Sequence, residues 1–196
     1  VAAAFSYWIA AAAFFALFAL LLTSWRDRLH WMTFTGACLV TAFWAATVGA
    51  QIAWGNTLWL LTDLLEIARN AGWMLFLLRL LNPSQQKTTR FSFTFKPFAG
   101  VVASLYAALL LATIYTHLEF EFLHGAIAFL SGSVGHVALA VIGMLLVEQL
   151  FRNTSEKQRW GIKFACFGIG GLFAYDFYLY SDAMLFRQVN IEIWTA

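Results

Sequence analysis

Long apolar runs, each broken by a short polar or turn-forming stretch, set the pattern of this chain. Runs long enough to cross a membrane lie at about 2–23, 32–54, 57–81, 98–116, 125–151 and 161–185. A helix needs roughly 20 residues to traverse a hydrocarbon core about 30 Å thick. The runs are continuously apolar rather than alternating, so they predict helices and not barrel strands. The connections between them are Ser24 to Trp31, Gly55-Asn56, Asn82 to Pro97, His117 to His124 and Arg152 to Trp160. Gly55-Asn56 is so short that the helices on either side must form an antiparallel hairpin. The pattern predicts an all-α integral membrane domain of about six transmembrane helices with short loops, filling residues 1–196.

Composition fixes the solvent. With 62% hydrophobic and 11% charged residues, 20 Phe and 9 Trp, the chain has more apolar surface than one soluble core can hide. Lipid must cover the rest. The formal charge of +2 points to no nucleic-acid partner. Cys38 and Cys166 sit inside apolar runs, where a thiol behaves as a small hydrophobe rather than as half of a disulfide. The first run has no small-residue cleavage site followed by a polar region, and reads as a retained span, not a signal peptide. The start at Val1 and the end at Ala196 after a polar patch lead us to expect a fragment of a longer protein.

Charge placement gives an orientation. Of the 12 Lys and Arg residues, all but Arg69 and Arg187 cluster after the first span, around the connection after the third, and after the fifth. The intervening connections, Gly55-Asn56 and the acidic stretch His117 to His124, contain none. Lys and Arg near span ends stay cytoplasmic, so the N-terminus is expected outside. Trp25, Trp31, Trp54, Trp59, Tyr115 and Trp160 fall near span ends, where amphipathic rings anchor at the headgroups.

Candidate chemistry concentrates inside the membrane. The third span carries Asp63, Glu66, Arg69 and Asn70 at helical spacing, with Arg69 at its midpoint. A charge at that depth must face the bundle interior or water. Ion pairing that fixes helix packing and a ligand or proton site both fit this stripe. The sixth span ends in a polar patch with Tyr175, Asp176 and Asp182, and Arg69 is expected to meet Asp176. His136 lies in the fifth span among Gly125, Ser131, Gly132, Ser133, Gly135 and Gly143. Small residues there, and Gly168, Gly170 and Gly171 in the sixth span, predict close helix approach. His117, Glu119, Glu121 and His124 are residue types that bind metal, but their spacing matches no standard ligand pattern, and a solvated loop is the expectation. No phosphate-binding Gly-rich loop, zinc-protease motif or nucleophile elbow occurs, so no catalytic residue is expected in this segment.

The stretch Glu148 to Arg187 adds a resemblance. Its pieces Glu148-Gln149-Leu150-Phe151-Arg152-Asn153-Thr154, Arg159-Trp160-Gly161-Ile162-Lys163 and Gly170-Gly171-Leu172-Phe173-Ala174-Tyr175-Asp176 resemble the membrane region of the PrsK family. These are histidine kinases of the PEP-CTERM/exosortase system in Gram-negative bacteria. Elsewhere the agreement is mainly in span pattern, with details such as Leu22-Thr23-Ser24-Trp25-Arg26. The resemblance implies a multi-pass sensor or anchor in the bacterial inner membrane, preceding a GAF domain and a kinase core. That core would use ATP and Mg, act as a homodimer and signal to a response regulator controlling export and exopolysaccharide genes. No cofactor is implied for this segment itself. The alternatives from the residues alone are a small transporter or channel, which would also use intramembrane charges, and a purely structural anchor.

Overall fold

The computed structural model describes residues 2–24, 31–55, 59–81, 95–117, 134–154 and 156–186; among them are six helices and no strand. These are α1 (Ala2–Ser24), α2 (Trp31–Trp54), α3 (Trp59–Leu81), α4 (Phe95–His117), α5 (Gly135–Asn153) and α6 (Glu156–Phe186). Five of them, α1, α2, α4, α5 and α6, are long and apolar enough to cross a membrane. The chain is an all-α, multi-pass membrane protein. α3 has 23 residues like α1 and α4; Asp63, Glu66, Arg69 and Arg79 set it apart from the five in polarity.

Local chemistry explains the helix ends. Gly55 closes α2 with φ of 93°, a left-handed conformation that glycine adopts without a Cβ penalty. Its N–H donates to Gln51 O at 2.9 Å, satisfying one carbonyl that the helix end would leave open. Pro97 sits in the first turn of α4, where its missing N–H removes no intrahelical bond. The connection expected over Arg152 to Trp160 is shorter than the sequence suggests. α5 runs to Asn153 and α6 starts at Glu156, so the polar residues after the turn form the first turns of α6. Extended backbone at Thr154 breaks the helix, the Thr154 hydroxyl donates to Leu150 O at 2.6 Å, and Arg159 Nε donates to Thr154 O at 3.1 Å. Polar composition marked this segment as a loop; helix-compatible residues and a capped turn make it a hairpin.

The chain divides into two compact units, one running to Phe76 and the other beginning at Leu77. In the first, α1 packs along α2. Trp8 lies against Gly49, where a Cβ would stand 3.2 Å from the indole nitrogen. α2 meets α3 through small residues: a Cβ at Gly72 would lie 3.5 Å from the Ala37 Cα. Phe34 meets Trp73 and Phe76 at ring distances of 5.8 and 5.1 Å. Outward-facing Phe5, Ile9, Phe15 and Leu20 leave much of α1 exposed to lipid.

In the second unit α5 packs along α6, and α4 touches α5. Gly143 is buried against Phe173, itself 1% exposed, and a Cβ at Gly143 would come within 2.5 Å of that ring. Gly170 faces Val147 at 3.5 Å, as a packing glycine should. Gly168 and Gly171 depart from the expected packing face, since a Cβ at either meets nothing within 4 Å among the described residues. They turn to the same exposed side as Phe164 and Phe167, because a helix rotates about 100° per residue. Gly125 and residues 131–133 lie outside the described residues.

Candidate functional site

α3 is a helix whose polar side points inward. Thr62, Glu66, Arg69, Asn70 and Trp73 are all buried, with Arg69 only 2% exposed, while Leu60, Leu61 and Leu75 face out. Their spacing of four, three, one and three places the buried set on one face. In a soluble protein the same helix would be turned around; in lipid the apolar side chains face the solvent, and charges shelter against neighbours. Asp63, at the margin of this face, is half-buried.

The neighbour of Arg69 is aromatic. Its guanidinium carbon lies 3.9 Å from the centre of the Trp44 ring, a close cation–π contact in surroundings from which water is largely excluded. Trp44 is braced edge-on by Tyr7 of α1 at 5.9 Å. Arg69 Nη2 also donates to Asn70 Oδ1 at 3.4 Å. One turn further along, Trp73 Nε1 donates to Thr41 Oγ1 at 3.0 Å, and the Thr41 hydroxyl donates to Ala37 O at 2.7 Å. The first unit therefore holds a ladder of Tyr7, Trp44, Arg69, Thr41 and Trp73 that joins three helices. Reading the sequence for charge found Arg69 and missed Trp44, Thr41 and Trp73. The available signal was a Trp at mid-span, away from the headgroup level where such rings usually anchor.

Some polar atoms of α2 find no such partner. Thr35 Oγ1, Trp44 Nε1 and Gln51 Nε2 are buried without a hydrogen bond among the described residues.

In the second unit Asp176 is 2% exposed and buried on α6. His136 stacks flat on Tyr180, with ring centres 4.3 Å apart and planes within 18°, so the two helices bring together the expected histidine and the residue one turn beyond Asp176. Asp182 is half-buried. Tyr175, 41% exposed, lies on the outer side of α6 and not with the buried Asp176. Arg69 belongs to the first unit and Asp176 to the second; their pairing stays an expectation from the sequence.

Glu119, Glu121 and His124 lie outside the described residues, and His117 closes α4. Among the described residues no three His, Cys, Asp or Glu side chains gather closely enough to hold a metal ion. Cys38 and Cys166 are both buried as free thiols. No protein family, curated protein or solved structure matches the chain.

Proposed function

We propose that this chain is the membrane-embedded sensory and anchoring region of a bacterial two-component histidine kinase of the PEP-CTERM/exosortase type, seated in the inner membrane with its N-terminus outside. The observation that supports this best is the inward polar face of α3. A pure anchor needs only apolar spans, whereas Glu66, Arg69 and Asn70 are kept in the interior at a cost in desolvation. Directional contacts such as the cation–π stack on Trp44 and the Trp73–Thr41 hydrogen bond can be exchanged for discrete alternatives. Signalling needs such discrete states, bound unequally by the cue. The stretch resembling the kinase family, Glu148 to Arg187, covers the end of α5, the capped turn and α6, which is the segment whose charged and aromatic order lipid contact alone would not dictate. The kinase core of the parent would supply the ATP and Mg chemistry, the dimer contacts and the response-regulator partner.

The test is transcriptional output from the full-length parent, wild type against Arg69→Ala and Asp176→Ala at matched membrane abundance. Locked or silenced output is the expected result. Unchanged output at equal abundance would reduce the buried charges to packing and leave an anchor. Solute flux in liposomes that depends on Asp63 or Asp176 would replace sensing by transport.

A further inference from the structure

The turn between α5 and α6 carries an unbalanced set of charges. Residues 148–163 hold four cations, Arg152, Lys157, Arg159 and Lys163, against two acids, Glu148 and Glu156, a surplus of two positive charges. Arg152 is engaged by Glu148 at 3.2 Å. Arg159 and Lys163 stand four apart on α6, a like-charge spacing on neighbouring turns that works against the helix unless an anion lies between them.

The Arg159 side chain is already positioned by the turn. Its Nε donates to Thr154 O at 3.1 Å, and its guanidinium carbon lies 5.6 Å from the centre of the Phe151 ring. The two Nη groups, the part of the fork that suits a phosphate or carboxylate, are left for an acceptor beyond the turn. Lys163 Nζ lies 5.2 Å from the centre of the Trp160 ring, which is 73% exposed. Cations beside an exposed indole at the end of a span belong at headgroup depth.

An apolar strip runs on from this pair. At about 100° per residue, Trp160, Lys163, Phe167, Gly171 and Ala174 fall on one side of α6. All but the half-buried Lys163 are exposed. A Cβ at Gly171 would meet nothing within 4 Å, so the strip is shallow beyond Phe167. From Lys163 to Ala174 the helix rises about 16 Å. One leaflet of the hydrocarbon core is about 15 Å deep.

We propose that the turn end of α6 binds one anionic phospholipid, with its phosphate between Arg159 and Lys163 and an acyl chain along Phe167, Gly171 and Ala174. Charge complementarity selects an anionic lipid over a zwitterionic one, whose own ammonium would meet the positive surplus. The adjoining apolar strip selects a lipid over a free phosphate. The inference stands apart from the sensory reading, and its test uses no kinase output.

The full chain in mild detergent is titrated with phosphatidylglycerol or with phosphatidylcholine of the same acyl chains, and bound lipid is counted by native mass spectrometry. Wild type is expected to retain one phosphatidylglycerol where phosphatidylcholine is lost. Arg159→Gln and Lys163→Gln should each need about tenfold more lipid for half-occupancy, the effect of one charge-assisted hydrogen bond. Gly171→Leu fills the strip without changing charge, and should also weaken binding. Arg79→Gln, which removes an exposed cation at the end of α3, should leave it unchanged. Because Arg159 also holds the turn, Lys163→Gln carries the test alone if Arg159→Gln fails to fold. Equal retention of the two lipids overturns the proposal. So does an equal loss in Arg79→Gln, undiminished binding in Gly171→Leu, or displacement of the lipid by inorganic phosphate.

Discussion

Arg69 illustrates how lipid changes the meaning of a charged residue. A surface arginine in water gains little from any one contact, but the Arg69 guanidinium is buried and its central carbon sits over the Trp44 ring. Lysine carries the same charge as a compact ammonium and cannot reproduce the stack. Arg69→Lys is therefore expected to lower stability by about 1–2 kcal/mol, measured by unfolding in mixed micelles, and to couple with Trp44→Leu in a double-mutant cycle. Additive losses would show that ring and cation act separately. The Thr41 hydroxyl is the second residue-level test, because it accepts from Trp73 while donating to Ala37. Thr41→Val keeps the shape and removes the acceptor, at an expected cost of about 1 kcal/mol for an interhelical hydrogen bond in a membrane. Trp73→Phe should add almost no further polar cost in that background.

At the scale of the element, the glycines of α5 and α6 separate into two kinds that sequence does not distinguish. Gly143 makes room for Phe173, and a methyl group there would collide with the ring. Gly143→Ala is expected to destabilise the α5–α6 hairpin by about 1–3 kcal/mol through overpacking. Gly168→Ala meets open space and should leave the unfolding midpoint unchanged or raise it, since alanine is the better helix former. Equal losses at both positions in the same unfolding assay would contradict the assigned helix faces. The capped turn at Thr154 shows the converse case. Polar residues after it read as a loop because polarity ends a membrane span, yet polarity does not end a helix. Glu148 and Arg152 on α5, paired at 3.2 Å with both side chains largely exposed, show a helix continuing among charges in the same way.

At the scale of the whole molecule, orientation rests on charge alone and is open to direct measurement. With Cys38 and Cys166 replaced by alanine, single cysteines at Asn56 and Ser84 report on the two ends of α3. An impermeant maleimide should label Asn56→Cys in intact spheroplasts and Ser84→Cys only after permeabilisation. Labelling of both from outside would mean that α3 does not cross, and would reverse the order of the spans that follow. The apolar runs by themselves determined that the solvent is lipid, that the chain is helical and that α3 is the polar one. Which side of each helix faces a neighbour was decided only by the tertiary structure. In water burial selects apolar residues and so writes the packed face into the sequence; in lipid an apolar side chain is equally at home inside or outside. The polar stripe of α3 and Asp176 of α6 carried a readable direction, since charge has one tolerable place to go. That is why Glu66, Arg69 and Asn70 were legible as interior residues, while Trp44 beneath Arg69, Thr41 beside Trp73 and Phe173 against Gly143 appeared only with the packed helices.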